Sequence, residues 1–137
     1  MGEVRVTVKL TNTGDMTLVR RNLMRPEAVR SVEANALIDT GAVTFVIPSL
    51  VVEHLGLARP YKQVVEYADG RLEEVDVTEP VLVELPGRHT IEEAMVLGNE
   101  VIIGQTILEK TDLYVDCRER RLLPNPAHPD QPVLKVK

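Results

Sequence analysis

The residues best suited to chemistry lie at Ala36-Leu37-Ile38-Asp39-Thr40-Gly41-Ala42, where a carboxylate ends an apolar run and a hydroxyl and a glycine follow at once. The apolar approach draws Asp39 toward the interior. A buried lone carboxylate is costly unless it is hydrogen-bonded, paired or protonated. Gly41 lets backbone come close and offers amide donors without side-chain obstruction, and Thr40 can fix the loop through its hydroxyl. An Asp-[Ser/Thr]-Gly tripeptide arises by chance in about one chain of this length in twenty, and an ordinary Asx turn at a strand end reads the same way. The context adds specificity: a Val-Thr-Phe-Val-Ile strand follows Ala42, and a helix follows that.

Two further segments belong with it. Val101-Ile102-Ile103-Gly104 repeats the layout in part, with an apolar strand, a glycine and then a short helix over Gln105 to Lys110. Tyr67-Ala68-Asp69-Gly70-Arg71 holds an Asp-Gly pair between two extended runs, which signals a hairpin turn. The other reactive side chains have no partners in the pattern. His54, His89 and His128 share no metal-ligand spacing, so no metal is expected. Ser31, Ser49 and Cys117 carry no cue linking them to a histidine base. Arg118, Arg120 and Arg121 read as a solvated hairpin tip.

The elements that must position these residues are mainly strands. The chain has 21 valines, and β-branched side chains suit a pleated, half-buried surface. Val4, Val6, Val8 and Leu10 alternate with Arg5, Thr7 and Lys9, a period of two with one buried face. Thr11 to Asp15 reads as a turn and Met16 to Met24 as a returning strand. Ala28 to Ile38 is extended. Pro48 opens a helix through Leu55 that Gly56 ends. Gln63 to Tyr67, Leu72 to Val77, Val81 to Leu85, Ile91 to Leu97 and Val101 to Ile103 are strands. Leu113 to Val115 and Leu122 to Leu123 form a last hairpin. The tail from Pro124 carries prolines at 124, 126, 129 and 132 and reads as extended and loosely held. Many short strands, frequent turns and two short helices imply an all-β barrel or sandwich.

Composition excludes several function classes. The chain has 137 residues, a size typical of one domain. A net charge of −5 disfavours a broad nucleic-acid or anionic-membrane surface. Aromatic residues make up 3%, too few for base-stacking platforms. Cys117 is the only cysteine, which rules out an intrachain disulfide framework and fits a reducing compartment. No signal core, myristoylation pattern or membrane-length apolar run is present, so a cytoplasmic location is expected.

From about Val29 to Pro124 the sequence resembles a retropepsin-like aspartic protease of the pepsin superfamily, in its small microbial single-domain form. Leu37-Ile38-Asp39-Thr40-Gly41-Ala42 matches the segment that carries that family's catalytic aspartate. Ile102-Ile103-Gly104 matches the later segment that closes the same half of the barrel. Tyr67 to Arg71 falls in the interval of the family's flap, and Leu113 to Pro124 resembles the closing hairpin of pepsin-type domains. The flap interval has one glycine where viral relatives have several. The resemblance implies a closed acid-protease-like barrel over residues 1–124, with 1–24 as an extra hairpin and 125–137 as a Pro-rich tail. It implies Asp39, Thr40 and Gly41 as catalytic residues. It places Ala42, Tyr67, Ala68, Asp69, Gly70, Arg71, Ile102, Ile103 and Gly104 along the substrate cleft.

The chemistry implied needs two carboxylates sharing one proton across an attacking water, and no cofactor. Like charges about 3 Å apart cannot both ionise, so one pKa rises. This chain has one Asp-Thr-Gly, so the second carboxylate comes from a second copy about a two-fold axis. The expected function is an aspartic endopeptidase, a homodimer that cleaves peptide or protein substrates. The alternative is a catalytically silent homodimeric module of the same fold that binds a peptide or serves regulation.

Overall fold

The computed structural model describes residues 2–137; Met1, the first residue of the expected 1–24 hairpin, lies outside them. The alternation at the N-terminus forms strand β1, Val4–Asn12, with Val4, Val8 and Leu10 buried and Arg5, Thr7 and Lys9 exposed. It pairs antiparallel with β2, Ser31–Ile38, from Val4 opposite Ile38 to Thr11 opposite Ser31.

The expected returning strand at Met16 to Met24 is absent. Helix α1, Thr13–Arg20, occupies most of that stretch, so residues 2–24 are not a two-stranded hairpin. Capping decides this. The Asn12 side chain accepts the Asp15 amide at 3.0 Å and starts the helix. The Asp15 carboxylate then takes two hydrogen bonds from the Arg30 guanidinium, both at 2.9 Å, and the Arg30 amide at 3.0 Å. These fixed bonds outweigh the weak strand preference of Thr17, Leu18 and Val19.

After a 3-10 turn at Pro26–Ala28, β2 leads through the Asp39 loop to β3, Phe45–Ile47, and α2, Ser49–Leu55. Pro48 precedes α2 as its cap, and Gly56 ends it at φ 63°. The hairpin β4, Tyr61–Glu66, with β5, Leu72–Val77, follows as expected. Then come β6, Val81–Leu85, β7, Arg88–Glu92, β8, Met95–Val96, β9, Ile102–Ile103, and α3, Gln105–Thr111. The expected strand Ile91 to Leu97 is split between β7 and β8. Buried Ala94 bends the chain there, exchanging bonds with Thr78: its amide donates to Oγ1 at 3.1 Å, and its carbonyl accepts the Thr78 amide at 2.9 Å. A closing hairpin, β10, Leu113–Asp116, with β11, Arg121–Pro124, forms a separate two-stranded sheet.

Nine strands make one sheet in the order β4-β5-β8-β3-β9-β2-β1-β6-β7. Among the described residues the molecule is mostly β, but the expected closed barrel is not formed, and there are three α-helices where two were expected. Strands β4 and β7 remain free edges. Closure would require them to pair, yet every residue of β4 except Val65 is exposed. Charged Lys62 and Glu66 blunt such pairing at the β4 edge, and α3 packs against β7 at the other. The core lies on one side of the sheet, where Val8, Leu10, Phe45, Ile47, Leu55, Val83, Ile103 and Ile107 are fully buried.

The tail is less free than its proline content implies. Residues 129–137 are exposed, but Asn125, His128 and Val133 all bond to Asp112 at the end of α3.

Candidate functional site

Asp39 stands one residue beyond β2, and its position is set by the neighbouring strand. Strand β9 lies between β2 and β3, parallel to the first and antiparallel to the second. The Asp39 amide continues the β2–β9 ladder by donating to the Ile103 carbonyl at 3.0 Å. The chain then turns, with the Ala42 amide on the Asp39 carbonyl at 3.1 Å and the Gly41 amide on Asp39 Oδ1 at 2.9 Å. Asp39 is half-buried, while Thr40 and Gly41 are exposed. The carboxylate is therefore oriented by a backbone amide and open on its other oxygen, which accepts no hydrogen bond among the described residues.

The loop is stapled from the other side by α3. The first amides of a helix have no intrahelical acceptors. Here the Gln105 amide donates to the Ala42 carbonyl at 2.9 Å and the Thr106 amide to the Val43 carbonyl at 3.0 Å. The approach is so close that a Cβ on Gly104 would lie 2.2 Å from the Thr44 carbonyl oxygen and 2.8 Å from that of Ala42. Only glycine fits between these backbones. The structure thus brings Asp39, Thr40, Gly41, Ala42, Ile102, Ile103 and Gly104 together. Ile103 and Gly104 are buried, and Ile102 is half-buried beside Leu37. The sequence reading missed Thr44, whose backbone forms the wall against Gly104. Its only signal was the glycine facing it.

The hairpin residues stand apart. Tyr67 to Arg71 form a tight turn, with the Gly70 amide on the Tyr67 carbonyl at 2.9 Å, the Tyr67 amide on the Arg71 carbonyl at 2.8 Å, and the Arg71 amide on Asp69 Oδ1 at 2.9 Å. Gly70 has φ 86°. The Tyr67 hydroxyl donates to Glu73, which holds the phenol above its ordinary pKa, and the Arg71 guanidinium sits 4.3 Å from the centre of the Tyr67 ring. At the base of the hairpin, Lys62 and Arg59 both bond Asp76 and hold its carboxyl below the usual range. Ala68, Asp69, Gly70 and Arg71 are exposed. No hydrogen bond or ion pair among the described residues links this turn to the Asp39 loop.

Among the described residues, no cluster of three or more His, Cys, Asp or Glu could hold a metal ion, and no helix is long and apolar enough to cross a membrane. No family model matches the sequence, and no curated protein matches it. Among solved structures the chain is similar to the EIAV protease in its complex with the inhibitor HBY-793, with 30% sequence identity over 56% of this chain and 75% of that chain and a TM-score of 0.49.

Proposed function

We propose that the chain is an aspartic endopeptidase that works as a symmetric homodimer, with the two copies of Asp39 sharing one proton beside the two-fold axis. The observation that carries this reading is the fixed, half-buried Asp39 carboxylate, held by the Gly41 amide on a loop stapled to β9 and α3. Such a loop presents one oxygen to a neighbour at little conformational cost, as a shared dyad needs. The ionised Asp39 takes a proton from water as it attacks the peptide carbonyl, and the protonated Asp39 of the second copy donates to the carbonyl oxygen. Collapse of the tetrahedral adduct breaks the C–N bond. A dyad proton passes to the leaving nitrogen, and the products are a carboxylic acid and an amine. Thr40, exposed beside the axis, ties the two loops together. The hairpin at Tyr67 to Arg71 covers the substrate and excludes water.

The test is digestion of an unbiased peptide library by wild type and Asp39→Asn across acidic to neutral pH. Asn cannot shuttle the proton, so a folded Asp39→Asn protein should be inactive, and a hydroxyl-containing transition-state mimic should bind wild type. Mixing wild type with excess Asp39→Asn should suppress activity through heterodimers. Cleavage by a strict monomer, or by folded Asp39→Asn, would remove the mechanism. Peptide binding without cleavage would favour a silent module of the same fold.

A further inference from the structure

We propose that the segment after Pro124 is a strap that masks the surface on which a second copy docks; the partner's identity rests on the homodimer proposed above. Asp112 is the buckle. It caps the C-terminus of α3 in a left-handed conformation, φ 56°. Three points of the tail converge on its side chain: Asn125 Nδ2 at 2.9 Å, His128 Nδ1 at 2.7 Å and the Val133 amide at 3.0 Å. Its carbonyl accepts the Asn125 amide at 3.0 Å. Arg88 reinforces the buckle from β7. Its buried guanidinium meets no carboxylate among the described residues but donates to the Thr111 and Asp112 carbonyls at 2.9 and 2.8 Å and to the His128 carbonyl at 2.9 Å.

What the strap covers gives it a role. Val133 and Leu134 line a cavity of about 480 Å³ whose floor is Gln105, Leu108, Leu113 and Tyr114. The same four residues line a second cavity of about 350 Å³ that Thr40 also lines. The ground under the tail is therefore continuous with the flank of the loop that must meet its mate. Because Thr40 has to reach the second copy, that copy approaches along this ground and competes with the tail for it.

The strap is also built to come off. Val133, Leu134 and Val136 are 43%, 58% and 97% exposed, so little apolar surface holds them. A segment held by a few polar bonds opens locally without global unfolding. Release at Asp112 thus uncovers the groove while the core remains intact.

The experiment compares the full-length wild type with two full-length variants, His128→Ala/Val133→Pro, which removes two of the three side-chain and amide contacts, and Asp112→Asn, which keeps a residue tolerant of the left-handed cap. Amide exchange in residues 125–137 reads strap release, and sedimentation equilibrium reads assembly. Released variants should show faster tail exchange and a dimer dissociation constant lowered about tenfold. Faster exchange with an unchanged or raised dissociation constant overturns the strap while leaving the homodimer standing. Unchanged exchange in both variants overturns the buckle. If neither wild type nor released variants dimerise at any concentration, the homodimer and the strap fall together.

Discussion

Gly104 and Gly70 mark two of the turns that the sequence singles out, and the backbone demands glycine at them for opposite reasons. Gly104 has an ordinary extended conformation, φ −93°, but no room for a Cβ between it and the backbone of Thr44 and Ala42. Gly70 has open space around it and a φ of 86° that disfavours any side chain. The first glycine joins the Asp39 loop to the core, and the second shapes a turn whose hydrogen bonds are internal. The difference separates a part that must not move from a part that can. Under the proposed function, a carboxylate that exchanges protons needs a fixed address, whereas a cover has to swing on its own hinge.

The comparison breaks most visibly at Gly104. A methyl there meets backbone, which cannot rotate away as a side chain would. Gly104→Ala should lower stability by about 3 kcal/mol, the upper end for overpacking. It should also displace the Asp39 loop and, under the proposed function, reduce cleavage per folded molecule by about a hundredfold. Denaturant melts and rates corrected for the folded fraction check both effects. Wild-type stability in Gly104→Ala would show that the two backbones are not in the contact described.

A control with a large effect elsewhere sharpens the point. Arg30→Ala leaves the buried Asp15 carboxylate without its guanidinium, which holds that carboxyl below its usual range. The loss should be about 2 kcal/mol, below the figure for a fully buried pair because Arg30 is half exposed. This pair ties α1 to the start of β2, far along the strand from Asp39. Activity per folded molecule should stay at the wild-type level, so stability and site geometry separate. A parallel fall in activity would show that β2 transmits strain to the loop.

These two sites also show what the sequence makes legible. The Asp39 segment, the Gly104 segment and the 67–71 turn can each be read because apolar runs interrupted by glycine leave few local alternatives. The helix at Thr13–Arg20 could not be read from strand propensity, because it depends on Asn12 capping Asp15 and on Arg30 arriving from fifteen residues later. The pattern Asn12-Thr13-Gly14-Asp15 was the available signal, and it looked equally like a turn. The open sheet was hidden for another reason. Strand periodicity marks which face is buried but carries nothing about whether the first and last strands of a sheet meet.

The tail supplies an effect that acts through pH. Asn125, the Val133 amide and His128 hold the Asp112 carboxyl at about 2 against an ordinary 3.8. Arg88, Glu109 and Lys135 are the other charged groups near it. A depressed carboxyl stabilises its bonds fully above its ordinary value and loses that contribution as pH falls through the folded one. Tail attachment should therefore persist above about 3.8 and weaken toward about 2. Amide exchange at Val133, corrected for its intrinsic pH dependence, should rise across that window while Val8 and Ile103 stay protected. Constant protection at Val133 would mean that the carboxylate is not what holds the strap.

The smallest effect belongs to the hairpin and completes the comparison with Gly104. Gly70→Ala introduces no clash, since nothing lies within 4 Å of the new Cβ, but it forces a side chain into the left-handed region. The strain is about 1 kcal/mol. Because the turn is held by its own amides and by Asp69, with Tyr67 bound to Glu73 across the hairpin, that strain should be absorbed locally. Global melting should shift by less than the local strain, and amide exchange should quicken at Gly70 and Arg71 but not at Asp39 or Ala42. Under the proposed function, the variant should weaken substrate binding more than it slows the chemical step, because the cover is altered and the dyad is not. Quickened exchange at Ala42 in Gly70→Ala would show that the two turns are coupled, and would end the division between fixed loop and free cover.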